Sequence, residues 1–198
     1  MLNSIYTEKI QNRSKIRYYL GLSVRYIKFV KLSYIRFIAR KNGAAIGENC
    51  VFPLSLARKA NSNLTIGDNS SIQTDLFDLR APITIGKNVI IGSGVEILTC
   101  SHNIDSQEWE FKSYGIEICD YAWIATRAFI LPSCTKIGKG SVCGGGSLVV
   151  ENIEEMSVIS GSPAKHIKFR KQIHSKLVVE SLLGGDYKIY KKTWANKK

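Results

Sequence analysis

Acidic residues are almost missing from both ends of this 198-residue chain. Residues 1 to 43 hold ten lysines and arginines against Glu8 alone, and residues 163 to 198 hold ten against Glu180 and Asp186. The middle carries eight bases and thirteen acids, so the formal net charge of +12 resides at the ends. Ends of this kind suit phosphates, whether of nucleic acid, anionic lipid or a nucleotide-bearing cofactor, and composition does not choose among them. Cys-x-x-Cys pairs are also missing. The five cysteines, Cys50, Cys100, Cys119, Cys134 and Cys143, are odd in number and follow no cleavable signal sequence. That argues against a disulfide framework or a zinc site and for a reducing cytosol. Long hydrophobic runs are absent too. The uncharged stretch YYLGLSV near the start is far shorter than the roughly 20 apolar residues that cross a bilayer, so no transmembrane helix is expected. Histidine is scarce, and His166 and His174 lie among tail lysines, where solvated surface is the expectation. The 44% hydrophobic content suffices for one substantial core with appended ends.

What is present is a repeat. The segments IGENCV at 46, IGDNSSI at 66, IGKNVIIGSGVEI at 85, ICDYAWIATRAFI at 118 and IGKGSVCGGGSLVV at 137 place aliphatic or small apolar residues six apart. Ile66 and Ile72 are one such set; Ile85, Ile91 and Ile97 another; Ile118, Ile124 and Ile130 a third; Ile137, Cys143 and Val149 a fourth. A helix would space them by three and four, and a half-buried strand by two. A sustained six fits short strands wound around a three-sided prism, each aliphatic residue pointing inward and followed by a residue small enough for the chain to turn. A plain parallel sheet or a sandwich with glycine turns is the alternative. One extra residue between Ile130 and Ile137 predicts a bulged corner near Lys136, and the longer departures at 53–64 and 98–117 should loop out to the surface.

These segments, with AWIATRAFILPSCTKIG and ISGSPAKHIKFR, resemble the hexapeptide-repeat acyltransferases over about residues 44 to 170, and within them the colanic acid biosynthesis and maltose O-acetyltransferase types. The resemblance implies an all-β solenoid, a left-handed parallel β-helix. It also implies a homotrimer with active sites between neighbouring prisms, acetyl-CoA as donor, a saccharide hydroxyl as acceptor, and no metal. His102 matches the family's catalytic histidine, in the loop that interrupts the repeat after Ile97.

Acetyl transfer to an alcohol requires a proton to leave a hydroxyl that hardly ionises at neutral pH, and imidazole is the side chain best matched to that general-base task. His102 is therefore the expected base, and a backbone N–H near Ala125 the candidate donor to the oxyanion. Cys100, two residues earlier, raises a thiol nucleophile as a rival; a packing role is the alternative for it, and core positions are expected for Cys134 and Cys143. Zinc enzymes on this fold gather three histidines, whereas only His102 lies in the repeat region. Asn103, Asp105, Glu108 and Trp109 are acceptor-binding candidates, because carboxylates and amides hydrogen-bond sugar hydroxyls and an indole covers a pyranose face, and Asp75 falls near where the resemblance implies an acceptor-binding polar residue. An indole that merely anchors the loop is equally consistent. For the donor, the family's positions fall on Trp123, Ala125, Thr126, Gly144, Gly145, Lys165 and Lys168, with Arg170 near enough to meet a phosphate. Val150 and Glu151 stand where the family often has Thr-Lys, which places phosphate binding at that corner in doubt.

Residues 16 to 40 place Ile16, Leu20, Ile27, Val30, Tyr34 and Phe37 at helical spacing, with Arg25, Lys28, Lys31, Arg36 and Arg40 largely elsewhere. This basic amphipathic helix is expected to cap the open end of the prism; it also suits the anionic inner face of a membrane, and one helix can do both with different faces. The expected organisation is a basic helical segment at 1–43, the β-helix domain at 44–165 with its loop at 98–117, and a basic helical or irregular extension at 166–198 whose LVVESLL packs on the body. The reading is a cytoplasmic O-acetyltransferase, with peripheral membrane contact through the N-terminal helix and no nucleic acid. Its rivals are a noncatalytic scaffold that binds nucleic acid or membrane through its basic ends, and an N-acetyltransferase acting on an amino sugar or xenobiotic.

Overall fold

The computed structural model describes residues 4–173 and 186–196; His174 and the LVVESLL segment lie outside the described residues. Strands of the repeat region fall into three parallel sheets. The first holds β1 (Ala45–Ile46), β2 (Leu64–Ile66), β4 (Ile83–Ile85), β9 (Ile116–Ile118) and β12 (Lys136–Ile137). The second holds β3 (Ser71–Ile72), β5 (Ile90–Ile91), β10 (Trp123–Ile124), β13 (Val142–Cys143) and β15 (Ser157–Gly161), with β16 (Ala164–Phe169) antiparallel at its edge. The third holds β6 (Glu96–Ile97), β11 (Phe129–Ile130) and β14 (Leu148–Val149). The chain visits them in rotation, and each round pairs in parallel with the next: Ile85 opposite Ile118, Ile91 opposite Ile124, Ile97 opposite Ile130.

The spacing of six is thus one side of a round, and the register stacks the six-spaced residues in columns. Ile85, Ile91, Ile97, Ile118, Ile124, Ile130 and Ile137 are all essentially inaccessible and share one core cluster. Each buried isoleucine contributes ~1.5–3 kcal/mol. The small residue after the aliphatic one answers to crowding between rounds more than to turning. Gly67 has an ordinary negative φ, yet a Cβ there would stand 2.6 Å from the Gly86 carbonyl carbon. The turning falls to other residues: Asn49, Asn69 and Asn88, with φ of 56°, 59° and 56°, stack at the corner between the first and second sheets. Asparagine tolerates this left-handed conformation better than most side chains.

The departures from the repeat differ in kind. Residues 54–59 form a helix, α3 (Leu54–Lys59), that is packed rather than expelled: Leu56 and Ala57 are fully buried against the core. Their apolar side chains lengthen the core at the first round, which explains why this insertion does not merely loop out. The extra residue before Ile137 is absorbed at residues 131–134, where the Cys134 N–H donates to the Leu131 carbonyl at 2.9 Å, and β12 itself keeps regular register, Lys136 facing Glu117.

At the N-terminus, α1 (Ser4–Gln11) precedes α2 (Lys15–Lys41), which starts where the Ser14 hydroxyl accepts from the Arg17 N–H. The last turns of α2 cover the first round. Ile35 and Ala39 join the core cluster, with Leu32 and Ile38 packed against it. Arg36 donates to the Cys50 carbonyl at 3.0 Å and Arg40 to the Ile46 carbonyl at 2.7 Å, supplying partners to first-round backbone. Ile16, Leu20, Ile27, Val30, Tyr34 and Phe37, the apolar set read from helical spacing, face outward instead and are exposed. Farther out, α4 (Tyr187–Ala195) returns to α2, where Tyr190 stacks on Tyr18 and Asp186 pairs with Arg25 at 2.8 Å. Position 166 lies within β16, the return arm of a hairpin with β15.

Burial pushes the thiols of Cys50 and Cys134 up to about 11 and raises that of Cys143 farther still. Since the thiolate is the nucleophile, iodoacetamide at pH 8 should leave these three unmodified in the folded protein and label them after denaturation, as mass spectrometry of tryptic peptides would show.

Candidate active site

The loop after Ile97 is an ordered hairpin, β7 (Cys100–His102) against β8 (Phe111–Ser113), with His102 opposite Phe111. Its stem is fixed by Thr99, which is buried. The Thr99 hydroxyl donates to the Asp78 carbonyl at 2.8 Å and accepts from the Ala81 N–H, while the Tyr114 N–H closes the stem onto the Thr99 carbonyl at 2.7 Å. Arg80 binds the Asp78 carboxylate with two nitrogens, at 2.7 and 2.9 Å, and its guanidinium lies 5.6 Å from the centre of the Phe111 ring. The hairpin is thereby tied to the preceding round through Asp78, a residue that the repeat pattern did not single out.

The Arg80 guanidinium beside Asp78, with the Thr99 and Arg80 backbone N–H groups, holds that carboxyl well below the usual carboxylate range. A depressed folded-state pKa means stabilisation that is complete above the unfolded value near ~3.9 and lost as pH falls through the folded value. The stem should therefore be firmly held at neutral pH and loosen only in strong acid. At pH 7, Asp78→Asn should expose residues 100–113 to proteolysis several-fold faster than in the parent chain, with the repeat region uncut.

Within the hairpin His102 is exposed, and its Nδ1–H donates to the Trp109 carbonyl at 2.9 Å. The imidazole lies against the Trp109 indole, ring centres 5.3 Å apart and planes 18° from parallel, and meets the edge of Phe111 at 5.8 Å. Trp109 adopts a positive φ of 52°, which turns the chain back toward the histidine. With Nδ1 carrying the proton, Nε2 keeps a lone pair available to a substrate proton. Nothing in residue order identified Trp109 as the group that orients the ring.

Asn103, Asp105 and Glu108 occupy the same hairpin, Asn103 donating to Glu110 and the other two exposed at its tip. Asp75 does not join them. It sits half-buried at the corner between the second and third sheets, beside Thr74, whose hydroxyl donates to the Val95 carbonyl at 3.0 Å. Cys100 is buried at the stem, its sulfur 3.6 Å from the Thr99 hydroxyl, whereas His102 is exposed; the burial favours the packing role for this thiol.

Most donor-side candidates gather at that second-to-third-sheet corner. Successive rounds place there Gly92–Gly94, then Ala125 and Thr126, then Gly144 and Gly145. The Gly92 Cβ position would lie 2.7 Å from the Thr126 nitrogen, and that of Gly144 2.6 Å from the Ser160 hydroxyl, so side chains are kept off this column by the stacking itself. Lys165 stands opposite Ser160 at the same end, and Trp123 is exposed between Ile90 and Val142 on the adjoining face. Lys168 lies farther back, opposite Val158. Arg170 stands away from the small-residue column, its guanidinium donating to the Gly140 carbonyl at 2.9 Å at the first-to-second-sheet corner, and lines a depression with Ile90 and Trp123. The Ala125 N–H donates to the Cys143 carbonyl at 2.9 Å, so ladder formation consumes the amide expected to hold an oxyanion. Val150 and Glu151 follow β14, at the third-to-first-sheet corner. Gly-Ser-Gly at 92–94, one round below Ala125, was the missed signal for the column's length.

Two parts thus stand apart in one chain. The hairpin leaves from the corner between the third and first sheets, and the small-residue column lies at the corner between the second and third. Among the described residues no group of three or more His, Cys, Asp or Glu side chains is arranged to hold a metal.

No protein-family model matches the chain. An Escherichia coli K12 protein named as a colanic acid biosynthesis acetyltransferase is 35% identical over 136 residues, covering 68% of this chain and 74% of that protein. The galactoside O-acetyltransferase of Escherichia coli K12 is 31% identical over 129 residues, with 63% of each covered. Among solved structures, a hexapeptide-repeat-containing acetyltransferase from Vibrio cholerae complexed with acetyl coenzyme A superposes with a TM-score of 0.59 at 28% identity, covering 68% of this chain and 75% of that one. With the six-residue columns and the three sheets visited in rotation, these likenesses place the chain: it belongs to the hexapeptide-repeat acetyltransferase family and is an acyltransferase.

Proposed function

We propose that the chain moves the acetyl group of acetyl-CoA to a hydroxyl of a saccharide destined for surface polysaccharide or lipopolysaccharide, with His102 as general base. The observation that carries this reading is the imidazole held by the Trp109 carbonyl through Nδ1, which leaves Nε2 to accept the hydroxyl proton. The alkoxide forming as that proton leaves attacks the thioester carbonyl, and the proton is then available to the departing thiolate. Asn103, Asp105, Glu108 and Trp109, sharing the hairpin, would bind the sugar beside the base. The acetyl donor would lie along the column of Ala125, Thr126, Gly144 and Gly145, its nucleotide phosphates near Lys165 and Lys168. Relatives named for colanic acid and galactoside acetylation support the acceptor class, and a neighbour holding acetyl coenzyme A supports the donor.

The winding is read as a left-handed parallel β-helix solenoid with a basic helical segment at 1–43 and a C-terminal extension, working in the cytoplasm. The separation of hairpin and column onto different corners supports a homotrimer in which the histidine of one chain meets the column of the next. Purified protein with acetyl-CoA and a panel of saccharides tests the function. Acceptor-dependent CoA release with an alkali-labile acetyl product is expected. An alkali-stable product would indicate an amide, and no CoA release together with no CoA-induced thermal shift would refute an acetyltransferase role for this chain.

A further inference from the structure

The inward face of α2 is fully used, by Tyr18 and Leu22 against α4 and by Ile35 and Ala39 against the core. Its outward face is not. Ile16, Leu20, Val24, Ile27, Val30, Tyr34 and Phe37 follow one another at steps of three or four along the helix and all are exposed, from 49% at Val30 to 75% at Ile16. Tyr19 and Tyr26 widen the stripe. The helix has 27 residues, so this apolar strip runs for most of about 40 Å. Contiguous exposed apolar surface of that extent marks a contact site.

Charge identifies what it contacts. The α2 sequence contains eight bases and no acid. Arg25 is taken by Asp186, Arg36 by the Cys50 carbonyl and Arg40 by the Ile46 carbonyl. Among the described residues Lys15, Arg17, Lys28, Lys31 and Lys41 enter no ion pair. A shallow depression lined by Lys9, Asn12, Arg13, Arg17, Leu20 and Gly21 adds cations at the N-terminal end of the strip. A second copy of this face would set like charges against like, whereas an anionic surface with an apolar interior satisfies both the bases and the strip. No described helix is long and apolar enough to cross a membrane, so the geometry is that of a helix lying in the interface.

We propose that the outward face of α2 docks the protein on an anionic lipid bilayer, its apolar strip at the headgroup–acyl boundary and its lysines and arginines against lipid phosphates. The acyltransferase reading does not depend on this contact, and transfer to a soluble saccharide is expected to be the same with and without it.

The test is co-sedimentation of the full chain with vesicles of phosphatidylcholine and phosphatidylglycerol at 3:1, and with vesicles of phosphatidylcholine alone. Binding to the anionic vesicles that falls steeply with salt is expected, with little binding to the neutral ones. Each of Lys28→Glu and Lys31→Glu should weaken it at least about fivefold, and Leu20→Ser/Ile27→Ser/Tyr34→Ser should abolish it, with circular dichroism and soluble-acceptor activity unchanged. Equal binding by the triple variant, or none by the parent chain, overturns the proposal. So does a vesicle-free triple variant whose sedimentation coefficient drops, because the strip would then be a contact between copies.

Discussion

Replacing His102 by alanine should lower kcat for acetyl transfer by about 10²- to 10⁴-fold, with acetyl-CoA affinity and thermal midpoint unchanged. The size follows from the proposed role: without a proton acceptor the hydroxyl would stay nearly un-ionised while binding still brings the reactants together. The selectivity follows from placement. His102 is exposed on a hairpin whose stem is held by Thr99, Asp78 and Arg80, so its loss opens no cavity in the core. A parallel loss of folding would mean that the ring serves the hairpin through its stacking on Trp109. His102→Gln helps separate the roles, since its amide can still donate to the Trp109 carbonyl yet cannot serve as a base.

Truncating Ile124 to alanine should cost about 2–5 kcal/mol of stability. Ile124 is fully buried and sits in register between Ile91 below and Cys143 above, in a core shared by all the rounds. Backbone ladders on both sides fix the separation of neighbouring rounds, so little collapse can fill the void. The same truncation at Val30 on the outward face of α2, which is half-exposed, should cost under about 1 kcal/mol. Urea unfolding of the two variants measures both; a small loss at Ile124 would mean that the rounds close around a loosely packed interior.

How far the residues announced this arrangement depends on what fixes each feature. The columns were legible because one physical demand, an apolar side chain inside every side of every round, recurs with a fixed period. Residues such as Ile91, Ile124 and Cys143 therefore reveal their stacking by spacing alone. The hairpin was legible as an interruption, with His102 placed in it by residue order, but the groups that hold that histidine were not. Thr99 and Asp78 act through bonds between rounds, and Trp109 acts through its backbone carbonyl, which every residue possesses. The bond from Arg170 to the Gly140 carbonyl was not legible either, because no local pattern signals a contact between rounds. The outward set on α2 misled because helical spacing identifies a face without saying which way it points. Ile35 and Ala39, on the other side, do the capping. The 53–64 departure was read as surface because it broke the period, whereas Leu56 and Ala57 bury it.

The central claim is that hairpin and small-residue column, apart in one chain, form one active site between neighbours. The direct test mixes two inactive variants, His102→Ala and Gly145→Trp, by co-expression in equal amounts. Gly145 is exposed, and a Cβ there meets nothing closer than the Thr126 carbonyl oxygen at 3.3 Å, so the indole should obstruct the column without disturbing the hairpin. In a closed trimer with random assortment, one neighbouring pair in four joins an intact hairpin to an intact column. The mixture should recover about a quarter of parental activity. Activity no greater than that of the separate variants would contradict the account, placing base and donor within a single chain or the catalytic group elsewhere.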